Sequence, residues 1–241
     1  MPGRIVEPAT TGSRMIEDAG WPKHFLYLSP EKVESLYAQL TMRERRKIAN
    51  QLEIDLKIVK GRVSFEQVPD NVYRRLRVVL RHLDRENAVG SVDLPAQYVA
   101  GSLPMTWGTL ETASGDLAAS VVYFGTRLDK CSIGLGGSSS NVVGELADGA
   151  RRSGSNAPAL LDALRAADAD SPEDLLAVRL LRGNHGQADG WELDMIEKSI
   201  DTLPGVTQQV EFVARRLIEG VSRDGKRKIL LGSPLYVALV D

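Results

Sequence analysis

Six consecutive residues, Gly136-Gly137-Ser138-Ser139-Ser140-Asn141, have the composition of an anion nest. Glycine frees backbone N–H groups to turn toward one point, the serines add hydroxyl donors, and a helix N-terminus beyond the corner would add its own field. The same residues also make a tight turn without a ligand, because Gly accepts positive φ and Ser and Asn bond to nearby backbone. The corner lacks the lysine of a phosphate-binding P-loop and the spacing of a dinucleotide fingerprint. Arg151 and Arg152 follow it and offer charge to a bound anion, or simply a solvated surface.

A second cluster lies in RGNHGQADGW, residues 182–191, where His185, Gln187 and Asp189 sit among glycines in the manner of a binding loop. His185 and Asp189 are the candidates for catalytic proton transfer, but no Ser or Cys pairs with His185 along the chain, and a polar loop histidine is more often only solvated. The other histidines, His24 and His82, fall in regular structure, so no zinc-type ligand spacing exists and no metal or cofactor is expected. The single cysteine, Cys131, stands in the alternating run KCSIGL and reads as a small core side chain. Trp107 and Trp191 could stack on a flat ligand; aromatic residues in strands are more often core.

These groups need a scaffold. HFLYL, residues 24–28, reads as a strand, and Ser29-Pro30-Glu31 as a helix start with a hydroxyl cap, Pro in the first position and an acid in the first turn. Leu52, Ile54, Leu56 and Ile58 alternate with Glu53, Asp55 and Lys57, which predicts a half-buried strand. Lys60-Gly61-Arg62 predicts a hairpin turn into residues 63–68, and Pro69-Asp70 opens a helix with Tyr73, Leu76, Leu80 and Leu83 on one stripe, ending near Asn87. Residues 89–135 break into short β-like runs and predict a meander. Helices are expected after Asn141, over 158–167, 173–181 and 204–219. The chain then closes with an apolar run, broken at Gly232-Ser233-Pro234, whose last part, Leu235 to Val240, must be a paired strand. The expected fold is α+β: a mostly antiparallel sheet with helices packed on one side and the C-terminal strand completing it. Residues 1–22 read as a flexible N-terminal arm and 23–241 as one domain, with a division near residue 150 as the alternative.

The composition is that of a soluble globular chain, 43% hydrophobic and 26% charged. A net charge of -2 gives no global attraction to nucleic acid or anionic membrane, and no apolar run is long enough to span a bilayer. The expected location is cytoplasmic. One local exception is the arginine-rich helix 70–87 with Arg74, Arg75, Arg77 and Arg81, reinforced by Arg43, Arg45, Arg46 and Lys47, whose faces suit phosphate contacts if they converge.

HFLYLSPEKVESLYAQL, YVAGSLPMTWG, IGLGGSSSNVVGE, QQVEFVARRLIEG and LLGSPLYVALVD together resemble an uncharacterised family of actinobacterial proteins, over most of the chain from Lys23. The resemblance implies an actinobacterial, intracellular origin and a fold that recurs as a stand-alone unit; it assigns no residue a role. The functional expectation is a non-catalytic ligand-binding or protein-interaction module, in a regulatory or defence assembly, with Gly136 to Asn141 meeting a small-molecule or anionic ligand. The first alternative is an enzyme acting on a small or phosphorylated metabolite, the second a nucleic-acid binder using the arginine-rich helix. Nucleic acid is the weaker of these partners; a protein partner or a homo-oligomer stays open.

Overall fold

Apolar residues on both faces of long strands dictate a sheet that is covered twice, and the computed structural model of the chain delivers this by curling the sheet upon itself. It describes residues 23–60, 71–110, 121–143, 190–203 and 205–240, the side chains of 52–60, 110 and 191 excepted. Among these are seven strands: β1 (His24–Leu28), β2 (Val89–Ser91), β3 (Tyr98–Leu110), β4 (Val121–Arg127), β5 (Cys131–Ser138), β6 (Gln208–Val221) and β7 (Lys228–Leu239). The four helices are α1 (Pro30–Gln39), α2 (Met42–Lys60), α3 (Val72–Arg85) and α4 (Gly190–Asp201).

The class is α+β, but the sheet is mixed rather than a simple antiparallel meander. β3, β4 and β5 follow one another antiparallel, β5 pairs parallel with β7, β7 antiparallel with β6, and β6 antiparallel with β3, so five strands close into a barrel. β1 joins β7 antiparallel, and β2 joins β3 in parallel. The expected meander holds only from β3 to β5. Within the 89–135 stretch expected to break into short runs, residues 98–110 form one long strand through Pro104.

Alternation fills the interior. Val99 and Met105 of β3, Val122 and Phe124 of β4, Ile133 and Leu135 of β5, Val210, Phe212 and Ala214 of β6, and Leu230 and Val237 of β7 form one cluster. Cys131 belongs to it as a free, buried thiol, as its alternating run implies. Helices cover two outer regions, not one side. Leu76, Val79, Leu80 and Leu83 of α3 and Val33 of α1 pack on Phe25, Tyr98, Val213 and Tyr236. Leu193, Ile196 and Ile200 of α4 pack on Val121, Tyr123, Ile229 and Leu231.

Two expected elements are reversed. Residues 52–58 belong to α2, not to a strand. Their alternation is part of a longer helical stripe, Ile48, Leu52, Leu56 and Val59, and the helix begins with a reciprocal cap in which Thr41 N–H donates to Glu44 and Glu44 N–H to the Thr41 hydroxyl. Residues 208–219, expected as a helix, are β6. Val210 and Phe212 point into the barrel while Val213 meets the helices, and a strand buried on both faces loses the clean alternation that would have marked it. The hairpin at residues 60–68 and the helices over 158–167 and 173–181 lie outside the described residues.

β7 completes the sheet as expected, but runs unbroken through Gly232-Ser233-Pro234 and pairs with three strands. A bulge sets Pro234 opposite Ala214 and Tyr236 opposite Val213, leaving Leu235 as the extra residue. Leu235 and Tyr236, expected on opposite faces, therefore both enter the cluster beneath α1 and α3.

Candidate functional site

The glycines of the 136–141 corner are strand residues. Gly136 lies opposite Tyr123, Gly137 opposite Val122 and Ser138 opposite Val121. The positive φ expected at Gly136 or Gly137 is absent: among the described residues it occurs at Asn87, Gly205 and Gly225. Gly137 has another reason to lack a side chain, since a Cβ there would lie 2.3 Å from the Tyr27 Oη. The strand ends in a short 3₁₀ turn, Ser139–Asn141, which turns the polar side chains toward β1.

There they meet a polar cluster. Asn141 Nδ2 donates to Tyr27 Oη at 3.3 Å and lies 3.5 Å from Ser29 Oγ, and the Ser138 and Ser140 hydroxyls are 2.8 Å apart. Ser29, expected to cap α1 with its hydroxyl, makes no side-chain cap; it faces Asn141 instead, and its N–H donates to the Leu235 carbonyl. Burial pushes the Tyr27 phenol above its ordinary pKa, against the opposing hydrogen bonds with Asn141, Ser29 and the Ser138 backbone.

One turn into α1, Lys32 extends over the bulged part of β7. Its Nζ donates to Ser233 Oγ at 2.5 Å and to the Pro234 carbonyl at 3.0 Å, and stands 6.0 Å from the Tyr27 ring centroid. Ser29 and Ser233 are each 2% exposed. Desolvation lowers the Lys32 pKa to about 7; Glu31 opposes this shift and Arg215 adds to it. Arg215 lies opposite Ser233 in the β6–β7 register. Neither Lys32 nor Arg215 forms a salt bridge among the described residues, and the neighbouring Glu31 offsets the Lys32 charge only in part.

Sequence reasoning passed over Lys32, although a signal was there. Lys32 is a cation in the first turn of a helix, where the macrodipole disfavours positive charge, and such local conflicts mark places where something other than stability is being served.

The remaining candidates fall elsewhere. His185, Gln187, Asp189, Arg151, Arg152 and the Trp191 side chain lie outside the described residues. Trp107 stacks on Phe124 at 5.7 Å and donates to Gln208, consistent with a role in the barrel wall. In α3, Arg75 pairs with Glu34 at 2.5 Å and lies over Tyr37, while Arg45 of α2 donates to the Ala38 carbonyl, so these cations serve contacts within the helical layer. No group of three or more His, Cys, Asp or Glu side chains suited to a metal occurs among the described residues. No described helix is long and apolar enough to cross a membrane.

A five-stranded mixed barrel flanked by two helical layers, with a desolvated lysine where the first helix crosses the last strand, defines the class. A family model matches residues 23–241, and the chain belongs to that family of unknown function, DUF7019. No curated protein and no solved structure matches it.

Proposed function

We propose that the chain is a non-catalytic ligand-binding module whose site takes an anionic group at Lys32. The observation that carries this reading is the desolvated Lys32 ammonium, which makes no salt bridge among the described residues, with Arg215 as a second cation nearby. A partly buried cation of this kind is stabilised by an arriving anion more than a solvated surface lysine is, because its own desolvation has already been met by the fold. Ser233, Ser29, Asn141 and Tyr27 add neutral hydrogen-bonding groups beside it, which is how a small-molecule site fixes orientation. This gives the Ser138 to Asn141 side chains a place in the site, by a different route from a glycine nest.

Calorimetric titration with sulfate, whose charge is constant from pH 6 to 9, tests the reading. Binding that is lost in Lys32→Met and weakened in Arg215→Ala supports it; a chain that binds no sulfate, or binds it equally well as Lys32→Met, overturns it.

One observation favours the enzyme alternative. An amine that titrates near neutrality and lies 2.5 Å from a serine hydroxyl is the pairing of a serine nucleophile with a lysine base. Against it stands the burial of Ser233, which keeps an acyl donor from its oxygen. Covalent labelling of Ser233 by a fluorophosphonate, absent in Lys32→Met, would decide for the enzyme.

A further inference from the structure

A cleft of about 310 Å³ opens where the ends of α1 and α3 meet the start of α2 and of β3. It is separate from the Lys32 cluster in its lining residues. Its apolar lining is the partly buried Leu36 with the edges of Leu40, Val79 and Leu83, which are almost fully buried.

The polar part of the lining has unused capacity. Among the described residues the His82 imidazole, the Gln97 amide and the Tyr98 hydroxyl make no hydrogen bond within the protein, and the Tyr98 oxygen is not among the buried atoms left without a partner. Gln39 spends one amide hydrogen on the Ser35 carbonyl and keeps its oxygen. Together these groups offer donors and acceptors side by side rather than a single charge. The one carboxylate in the lining, Glu44, already accepts from the Thr41 N–H and hydroxyl, and no lysine or arginine lines the cleft. The chemistry therefore disfavours a phosphate and suits an uncharged planar ring with adjacent N–H and C=O groups, the edge that a glutamine amide pairs with bidentately.

We propose that this cleft is a binding site for an uncharged heterocycle of the nucleobase or nucleoside class, seated against Leu36 and the edges of Leu40, Val79 and Leu83 and read at its edge by His82, Gln97 and Tyr98. The size agrees, since small-molecule sites begin near 300 Å³. The inference is independent of the anion site.

The test is titration of the full chain, followed by calorimetry and ligand-observed NMR, with adenosine, guanosine, cytidine and uridine, their 5′-monophosphates, and ribose. At least one nucleoside is expected to bind, its monophosphate to bind more weakly, and ribose not to bind. Gln97→Ala and His82→Ala should each weaken the nucleoside by about tenfold, the loss of one well-made edge contact. Gln97 is exposed, so that variant keeps its fold, verified by circular dichroism. Lys32→Met should leave nucleoside binding unchanged. The proposal is overturned if no nucleoside binds up to its solubility, if binding survives both substitutions, or if the monophosphate binds as tightly as the nucleoside.

Discussion

The Tyr27 ring occupies the space in which Gly137 would carry a side chain: a Cβ there would stand 2.3 Å from Oη and 2.5 Å from Cζ. Tyr27 is fully buried and also meets Phe124 edge-on at 6.3 Å, so it cannot swing away without opening the barrel interior. Gly137→Ala should cost about 1–3 kcal/mol or more, the usual range for overpacking, read from urea denaturation. The cost should shrink when Tyr27 is replaced by Ala in the same chain. Additive single and double variants would show that the contact does not constrain Gly137.

Tyr123 presents the opposite case. Its hydroxyl is fully buried between β5 and α4 with no hydrogen-bond partner, and burial alone drives its pKa far up. Tyr123→Phe removes the stranded oxygen and keeps the ring, so it should stabilise the chain by about 1–3 kcal/mol. A lower melting temperature for this variant would mean that the hydroxyl has a partner after all.

Lys32 gives a pH dependence with a definite sign. Its pKa falls from 10.5 in the unfolded chain to about 7 in the fold. Between these values the unfolded chain binds the extra proton, so the Lys32 contribution to stability rises with pH from about 7 and is complete near 10.5. Measured as the difference between wild type and Lys32→Met, stability should increase over this window; a flat difference would place the ammonium in water. Sulfate binding should run the other way, weakening by up to about tenfold per pH unit above 7 as the proton must be recovered.

Glu197 fastens α4 to the barrel. Its Oε1 accepts from Ser132 Oγ at 2.8 Å and from Arg227 Nε at 3.0 Å, with Arg127 3.9 Å away. Glu197→Ala leaves the buried Ser132 hydroxyl and Arg227 without this acceptor, while Arg127 keeps Asp201, and should cost about 2 kcal/mol. Hydrogen exchange should localise the loss to α4 and β5; a loss spread evenly over the chain would contradict the fastening.

Much of the scaffold was legible where one periodicity ruled. His24–Leu28 and the start of α1 at Pro30 are as the residues predict, and the stripe of Leu76, Leu80 and Leu83 in α3 faces the sheet. Legibility failed where two periods coexist. Leu52 to Ile58 carry period two inside a helical stripe, and Val210, Val213 and Leu217 carry helical spacing inside a strand, β6, while Val206, at the same spacing, lies before it and is exposed. α4 was missed because only the loop before it drew notice. The site was least legible, because Lys32, Ser233 and Asn141 are brought together by the β1–β7 pairing and the β7 bulge, and no local pattern encodes such a meeting. The corner at Gly136 to Asn141 was noticed for its glycines, whereas its side chains are what reach the cluster.

The threefold pairing of β7 also sets the order of events in biosynthesis. His24 must wait for Leu239, at the far end of the described chain, and β5 and β6 find their common neighbour only when the same segment has been made. Contacts so distant in sequence slow folding, and until they form, the faces of β1, β5 and β6 are open to other chains. A ribosome stalled before β7 would thus hold an adhesive precursor, with β1, β5 and β6 each lacking a neighbour, rather than a partly working protein.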